Sequence, residues 1–163
     1  MLIKFFKKIV LFIVSGAGFR VNTYIDIIVY LKFKKRMKLA GYICNHLQNS
    51  HGVFISPRSK FDSSLCLRHP VGIVIGDGVT IGKNVIIYQN VTLGGARVGD
   101  AELNNYPTVG EGTVVFSGAI VIGKIHIGKN CVIGANSVVL SDIPENCIVA
   151  GSPAKIIGTN NNE

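Results

Sequence analysis

From residue 55 onward the apolar positions of the chain recur in sixes. An aliphatic residue stands at Ile75, Ile81, Ile87 and Leu93, and again at Val109, Val115, Val121, Ile127, Ile133 and Val139. Glycine follows directly at Gly76, Gly82, Gly94, Gly110, Gly128 and Gly134, giving units such as IGDGVT, IGKNVI and IGKNCV. A helix would repeat its apolar positions at three and four, and a half-buried strand at two. A period of six fits a parallel β-helix, in which each hexad is one short strand plus a corner; the aliphatic side chain points into a prism and the small residue lets the chain turn. One coil cannot bury its apolar face alone, so several must stack. Ile55, Phe61, Leu67 and Ile73 carry the period upstream, with a two-residue slip expected between Ile73 and Ile75.

The same arithmetic locates an interruption. Leu93 and Val109 are sixteen residues apart, one hexad plus ten, so GARVGDAELNNYP is expected to protrude as a loop at about 95–107. On a rigid scaffold such a loop reads as a flap over a site.

The first 50 residues follow a different pattern. Lys4, Lys7 and Lys8 precede an apolar run from Ile9 to Phe19, and Tyr24–Leu31 is interrupted by Asp26. A spanning helix needs about 20 apolar residues, so neither stretch crosses a bilayer alone. A signal peptide, a helical cap packed on the repeat, and an amphipathic element on anionic lipid all fit; the expectation is helices that pack on the repeat and also touch membrane, with Lys32–Lys38 (KFKKRMK) facing phosphates. The division is thus a helical segment at 1–50, the repeat domain at 51–158 and a polar tail at 159–163.

Charge sharpens that division. The chain has 163 residues, 17 Lys or Arg and 9 Asp or Glu, for a net charge of +8. Residues 1–40 hold nine of the cations and only Asp26 among the anions, so the remainder, with eight of each sign, is neutral. The asymmetry points to an anionic surface. Nucleic acid is not expected, since the neutral part offers no extended basic face and no binding motif. The four cysteines, Cys44, Cys66, Cys131 and Cys147, never form C-x-x-C and read as isolated reduced thiols of a cytosolic protein.

The stretches HPVGIVIG from His69, VTLGG from Val91, and GANSVV, SDIP and GSPAKII towards the C-terminus lie in an order that resembles the hexapeptide-repeat acyltransferases, nearest to their serine acetyltransferase branch. The resemblance covers about 100 residues. It implies a mainly β chain folded as a left-handed parallel β-helix, a homotrimer with sites between subunits, acetyl-CoA as donor, a hydroxyl as acceptor and no metal. It makes His69 the general base, in a context similar to the family's H-x-x-G-[IV]-V-I-G. Acyl transfer needs a base near neutral pKa to take the hydroxyl proton, and donors for the oxyanion. The matched donor positions are Gly94, Gly95, Ser117, Ala119, Ala135 and Lys155. Arg68, Asn90 and Tyr106 are the candidate acceptor-binding residues.

Three departures bear on the acceptor. The serine enzymes carry an aspartate directly before the histidine and another fifteen residues upstream, where this chain has Arg68 and Phe54; their second histidine, in an R-H-P stretch after the loop, is replaced by Tyr106 in NYP. These losses shift the expected acceptor from serine to a sugar hydroxyl of a surface polysaccharide, acetylated in the cytoplasm at the inner face of the membrane. Serine O-acetylation is the alternative. A zinc hydratase of the same architecture is more remote: His46 and His51 are five apart, but both precede the repeat and His126 stands alone. A non-enzymatic scaffold completes the set.

Overall fold

The computed structural model describes residues 14–161. Lys4, Lys7, Lys8 and the start of the apolar run at Ile9 lie outside the described residues. Among the described residues two helices, α1 (Ala17–Phe33) and α2 (Met37–His51), precede fourteen strands, most of them two residues long. The strands are β1 (Phe54–Ile55), β2 (Cys66–Leu67), β3 (Val74–Ile75), β4 (Thr80–Ile81), β5 (Ile86–Ile87), β6 (Thr92–Gly94), β7 (Thr108–Val109), β8 (Val114–Val115), β9 (Ile120–Ile122), β10 (His126–Ile127), β11 (Val132–Ile133), β12 (Val138–Val139), β13 (Cys147–Gly151) and β14 (Ala154–Thr159).

These strands build the three faces of a left-handed parallel β-helix. Face 1 is β1-β3-β6-β9-β12, face 2 is β4-β7-β10, and face 3 is β2-β5-β8-β11-β13-β14. Pairing is parallel except for the final β13–β14 hairpin. Each column of the six-residue pattern is one register line. Ile55, Ile75, Leu93, Val121 and Val139 line up on face 1, and Leu67, Ile87, Val115, Ile133 and Val149 on face 3. All ten are buried, and a large aliphatic side chain taken from water contributes about 1.5–3 kcal/mol.

The slip falls elsewhere than the spacing suggested. Eight residues separate Leu67 from Ile75 in the first coil, against six between Ile87 and Leu93 in the next. Ile73 is itself fully buried and its carbonyl accepts from Phe54, one coil below, as the carbonyl of Val91 accepts from Val74. Ile73 therefore matches Val91, and the two extra residues sit in the corner between Leu67 and Ile73. The reason is burial: the residue two before each inward face 1 position also faces the core, so the six-residue phase resumes from Ile73 only by coincidence of that second inward position.

The helices close the N-terminal end of the prism. α1 buries Val21, Ile25 and Ile28, and α2 buries Ala40, Cys44 and Leu47, spacings of three and four that put each set on one helical face. α2 ends at Gly52, whose φ of 64° lies in the left-handed region; the Gly52 N–H bonds back to the Gln48 carbonyl and the Val53 N–H to that of Leu47. Lys32 is drawn into this junction. Its Nζ donates to the Ser59 carbonyl and stands 4.4 Å from the centre of the Phe61 ring, and burial lowers its pKa. Burial also pushes the Cys44 thiol up to about 11, and all four cysteines are free.

Candidate active site

The corner from face 3 to face 1 is made the same way in successive coils, by one residue of positive φ: Gly72, Asn90, Gly118 and Asn136, at 66°, 58°, 71° and 55°. A Cβ on Gly72 would lie 2.2 Å from Asn90 Oδ1, so glycine is required there. The first coil has a further left-handed residue at the extra pair, His69, with φ 48°. Histidine enters this region more readily than most side chains, yet the conformation is uncommon outside glycine and marks a place worth chemical attention. The inserted residues push His69 out of the prism wall; Leu67 before it is buried while Arg68 and His69 are exposed.

The corner is held from behind by the helical cap. Gly18 of α1 approaches Pro70, a built Cβ standing 3.9 Å from its Cδ. Asn22 donates from Nδ2 to the Leu67 carbonyl at 3.0 Å and accepts from the Leu67 N–H at 2.9 Å. The N–H of Gly72 donates to the carbonyl of Gly52 at 2.9 Å. His69 thus projects from a backbone fixed on three sides. Among the described residues no side chain hydrogen-bonds its imidazole. Its neighbour is a ring: Tyr88 lies 6.2 Å away, centre to centre, tilted by 42°. Tyr88 in turn stacks on Phe116 at 5.0 Å and 20°.

All but one of the donor and acceptor candidates singled out in the sequence divide between two corners. Arg68, His69, Asn90, Ser117, Ala119 and Ala135 share the corner between faces 3 and 1. Ala119 is fully buried, its N–H donating to Phe116 and its carbonyl accepting from Thr92, so it offers nothing outward; Ala135 is exposed and Ser117 half-buried. Gly94, Gly95 and Tyr106 belong to the next corner, between faces 1 and 2, where the loop leaves β6 and returns to β7. Tyr106 lies across Gly76 and Gly78, where a Cβ would come within 3.0 Å and 2.3 Å of its ring. Lys155 is exposed on β14 and paired with Ala150. His46 and His51 come together on the cap, ring centres 6.4 Å apart, with Tyr24 Oη 3.0 Å from His46 Nε2; His126 lies on face 2. Among the described residues no three His, Cys, Asp or Glu side chains gather as metal ligands would.

The loop is organised by Asp100. Its carboxylate accepts from the N–H groups of Ala96 and Arg97, both at 2.7 Å, and from Asn105 Nδ2 at 3.0 Å. Those bonds, the Asn105 amide first, hold its carboxyl below the usual range. Neither Asp100 nor the Tyr88–Phe116 pair stood out in the sequence. A signal for the pair was there: both occupy the position after an inward aliphatic residue, which is glycine in six other units.

The six-residue period and the coil geometry agree with what known proteins show. The family model described as bacterial transferase hexapeptide (six repeats) matches residues 106–141. The serine acetyltransferase of Haemophilus influenzae is 40% identical over 128 residues, 78% of this chain and 47% of that protein. Residues 106–141 thus carry the repeat of the hexapeptide transferases. Among solved structures, the serine acetyltransferase of Neisseria gonorrhoeae in complex with serine superposes with a TM-score of 0.77 at 34% identity, covering 91% of this chain and 60% of that one. A serine acetyltransferase in complex with CoA gives 0.75 at 36%, covering 90% and 60%. The chain spans about half the length of the curated relatives it matches.

These relatives correct the expected acceptor. The relatives and solved structures matched above are serine acetyltransferases, which overturns the sugar hydroxyl inferred from Arg68, Phe54 and Tyr106. That inference subtracted three family side chains; a missing carboxylate removes one way of holding an amino acid but contributes no group that recognises a sugar.

Proposed function

We propose that the chain is an acetyl-CoA-dependent serine O-acetyltransferase with His69 as general base. The observation that carries the reading is His69 itself, an exposed imidazole on a left-handed corner residue in a chain about 40% identical to serine acetyltransferases. His69 takes the proton of the serine hydroxyl as its oxygen attacks the thioester carbonyl, and returns a proton to the sulfur as the C–S bond breaks. Arg68, exposed beside it, suits the serine carboxylate, since a guanidinium binds carboxylate through two parallel hydrogen bonds. Asn90 sits at the same corner as a further polar contact.

Ser117 and Ala135, small and at least partly exposed at the His69 corner, leave room for a pantetheine arm against the backbone, and a Cβ on Gly94 would meet nothing within 4 Å. Lys155 adds a point charge for a phosphate. Gly94, Gly95 and Tyr106 lie one corner away from His69, so a site using both sets joins neighbouring subunits; this supports a homotrimer with sites between chains. In this reading residues 51–158 form the transferase unit, acting in the cytoplasm.

The basic segment at 1–50 suits peripheral contact with an anionic membrane. Among the described residues no helix is long and apolar enough to cross one. The facing ends of α1 and α2 and the turn between them nevertheless expose Tyr30, Phe33 and Tyr42 at 60%, 79% and 70%, among exposed Lys34, Lys35, Arg36 and Lys38. No acid occurs between Asp26 and Asp62 to offset them. Aromatic and basic side chains alternating on one surface are the composition that lies at a lipid headgroup layer.

Release of CoA thiol, measured with serine, free sugars and polysaccharide as acceptors, tests donor and acceptor together. Serine is expected to support turnover, and His69→Ala to lower kcat by about 10² to 10⁴. A loss below tenfold would overturn the role given to His69.

A further inference from the structure

At the position after the inward residue, the three strands of face 2 carry glycine, and there is no room for a side chain at any of the three. A Cβ on Gly82, Gly110 or Gly128 would fall 2.4–2.6 Å from the backbone of the next coil. Face 3 is different. Its equivalent positions in the first three coils are Arg68, Tyr88 and Phe116, each with its N–H bonded to the coil above, at Ile87, Val115 and Ile133. Two aromatic rings therefore stand side by side on the outside of the prism. Phe116 remains 37% exposed, so the stack is not explained by core formation, and aromatic side chains that are not needed for burial mark a surface with another use.

The stack ends on His69. The histidine side chain is exposed, its backbone is fixed, and no carboxylate or other hydrogen-bonding side chain restrains its ring among the described residues. A general base works only when its nitrogen is held in line with the proton it takes, and loss of that alignment costs rate rather than binding. We propose that Tyr88 is the positioning residue of His69: its ring, held flat by Phe116, is the wall against which the imidazole rests, and it limits the rotation that a hydrogen-bonded carboxylate would otherwise limit. The ring separations, 6.2 Å and 5.0 Å, lie within the range of attractive aromatic contact. The ring face does this work and the phenol oxygen does not. This rests on His69 being the base.

The test compares Tyr88→Leu, Tyr88→Phe and Phe116→Ala with His69→Ala in the full chain, following kcat, KM for acetyl-CoA, and the chemical shift of the His69 ring proton between the two nitrogens. All three new substitutions lie outside the core, and circular dichroism checks that each chain folds. Tyr88→Leu is expected to lower kcat about 10- to 100-fold with KM unchanged, and to move the ring proton as the aromatic ring current is lost. Tyr88→Phe should retain wild-type kcat and shift, and Phe116→Ala should fall between. If Tyr88→Leu leaves kcat or the shift unchanged while His69→Ala is inactive, the role of Tyr88 is overturned alone. Tyr88→Phe as slow as Tyr88→Leu overturns it too, by assigning the effect to the hydroxyl. A fully active His69→Ala removes the base, and the role of Tyr88 with it.

Discussion

Three hydrogen bonds converge on the Asp100 carboxylate, two from successive backbone N–H groups and one from Asn105, and they pin both ends of an excursion that would otherwise be an open loop of ten extra residues. Bonds to the ionised form favour it, which is why the carboxyl lies below its ordinary value of 3.8. A depressed folded-state pKa contributes order that is complete above the ordinary carboxylate value and is lost as pH falls through the lower, folded one. Amide hydrogen exchange of residues 96–105 should therefore be slow and flat from neutral pH to about 4 once corrected for intrinsic rates, and should accelerate below it. Asp100→Ala should show the fast exchange at every pH; slow exchange in that variant would separate loop order from Asp100. His69 stood out in the sequence because the motif around it is local. Asp100, Tyr88 and Phe116 could not, because what gives them meaning is a partner on another coil or across a loop, and register between coils becomes visible only when the two extra residues near His69 are placed.

At the scale of elements, the apolar columns and the loop at 95–107 were legible from spacing alone, since inward positions in a stacked coil must be aliphatic and any excess length must leave the wall. The helices were legible as helices, and the reason they exist was not. Val21, Ile25 and Ile28 repeat at helical spacing, but nothing local says that they cover the first coil, a contact across more than 30 residues of chain. Asn22 is the clearest case. On the sequence it is one of several polar residues in α1, whereas in the fold it satisfies both backbone groups of Leu67. Asn22→Ala should leave those groups facing the helix without partners, at a cost of about 1–3 kcal/mol. The midpoint of urea unfolding reads it. Asn22→Asp should also destabilise, since a carboxylate keeps the bond from the Leu67 N–H but meets the Leu67 carbonyl as a second acceptor. An unchanged midpoint in the alanine variant would show that water replaces the side chain.

For the whole molecule, the excess of positive charge and the proposed transferase chemistry belong to different elements, the charge to the helices and the turn between them, the chemistry to the prism corner that α1 holds. The cations at the α1–α2 turn are exposed and the neutral prism carries His69, so membrane contact and catalysis should separate on mutation. Sedimentation with vesicles of phosphatidylglycerol and phosphatidylcholine is expected to carry down the wild-type chain and to fail with pure phosphatidylcholine. Combined Phe33→Ser, Lys35→Glu and Lys38→Glu should abolish binding without altering CoA release from serine. Binding that persists in this variant, or that is equal on neutral vesicles, rules out the turn as the contact; retention by nucleic acid in place of vesicles would reassign its partner.

A repeating coil carries no instruction to stop, since every strand offers the next one the same row of donors and acceptors. The Asn22 carboxamide presents Leu67 with one carbonyl oxygen and one N–H, the two groups that a peptide of a further coil would present. The first strand of face 3 thereby meets a counterfeit of its missing neighbour, made by a single side chain from a helix. Growth of the sheet in that direction is ended by being answered, and the prism acquires a definite first coil and with it a definite place for the corner that holds His69.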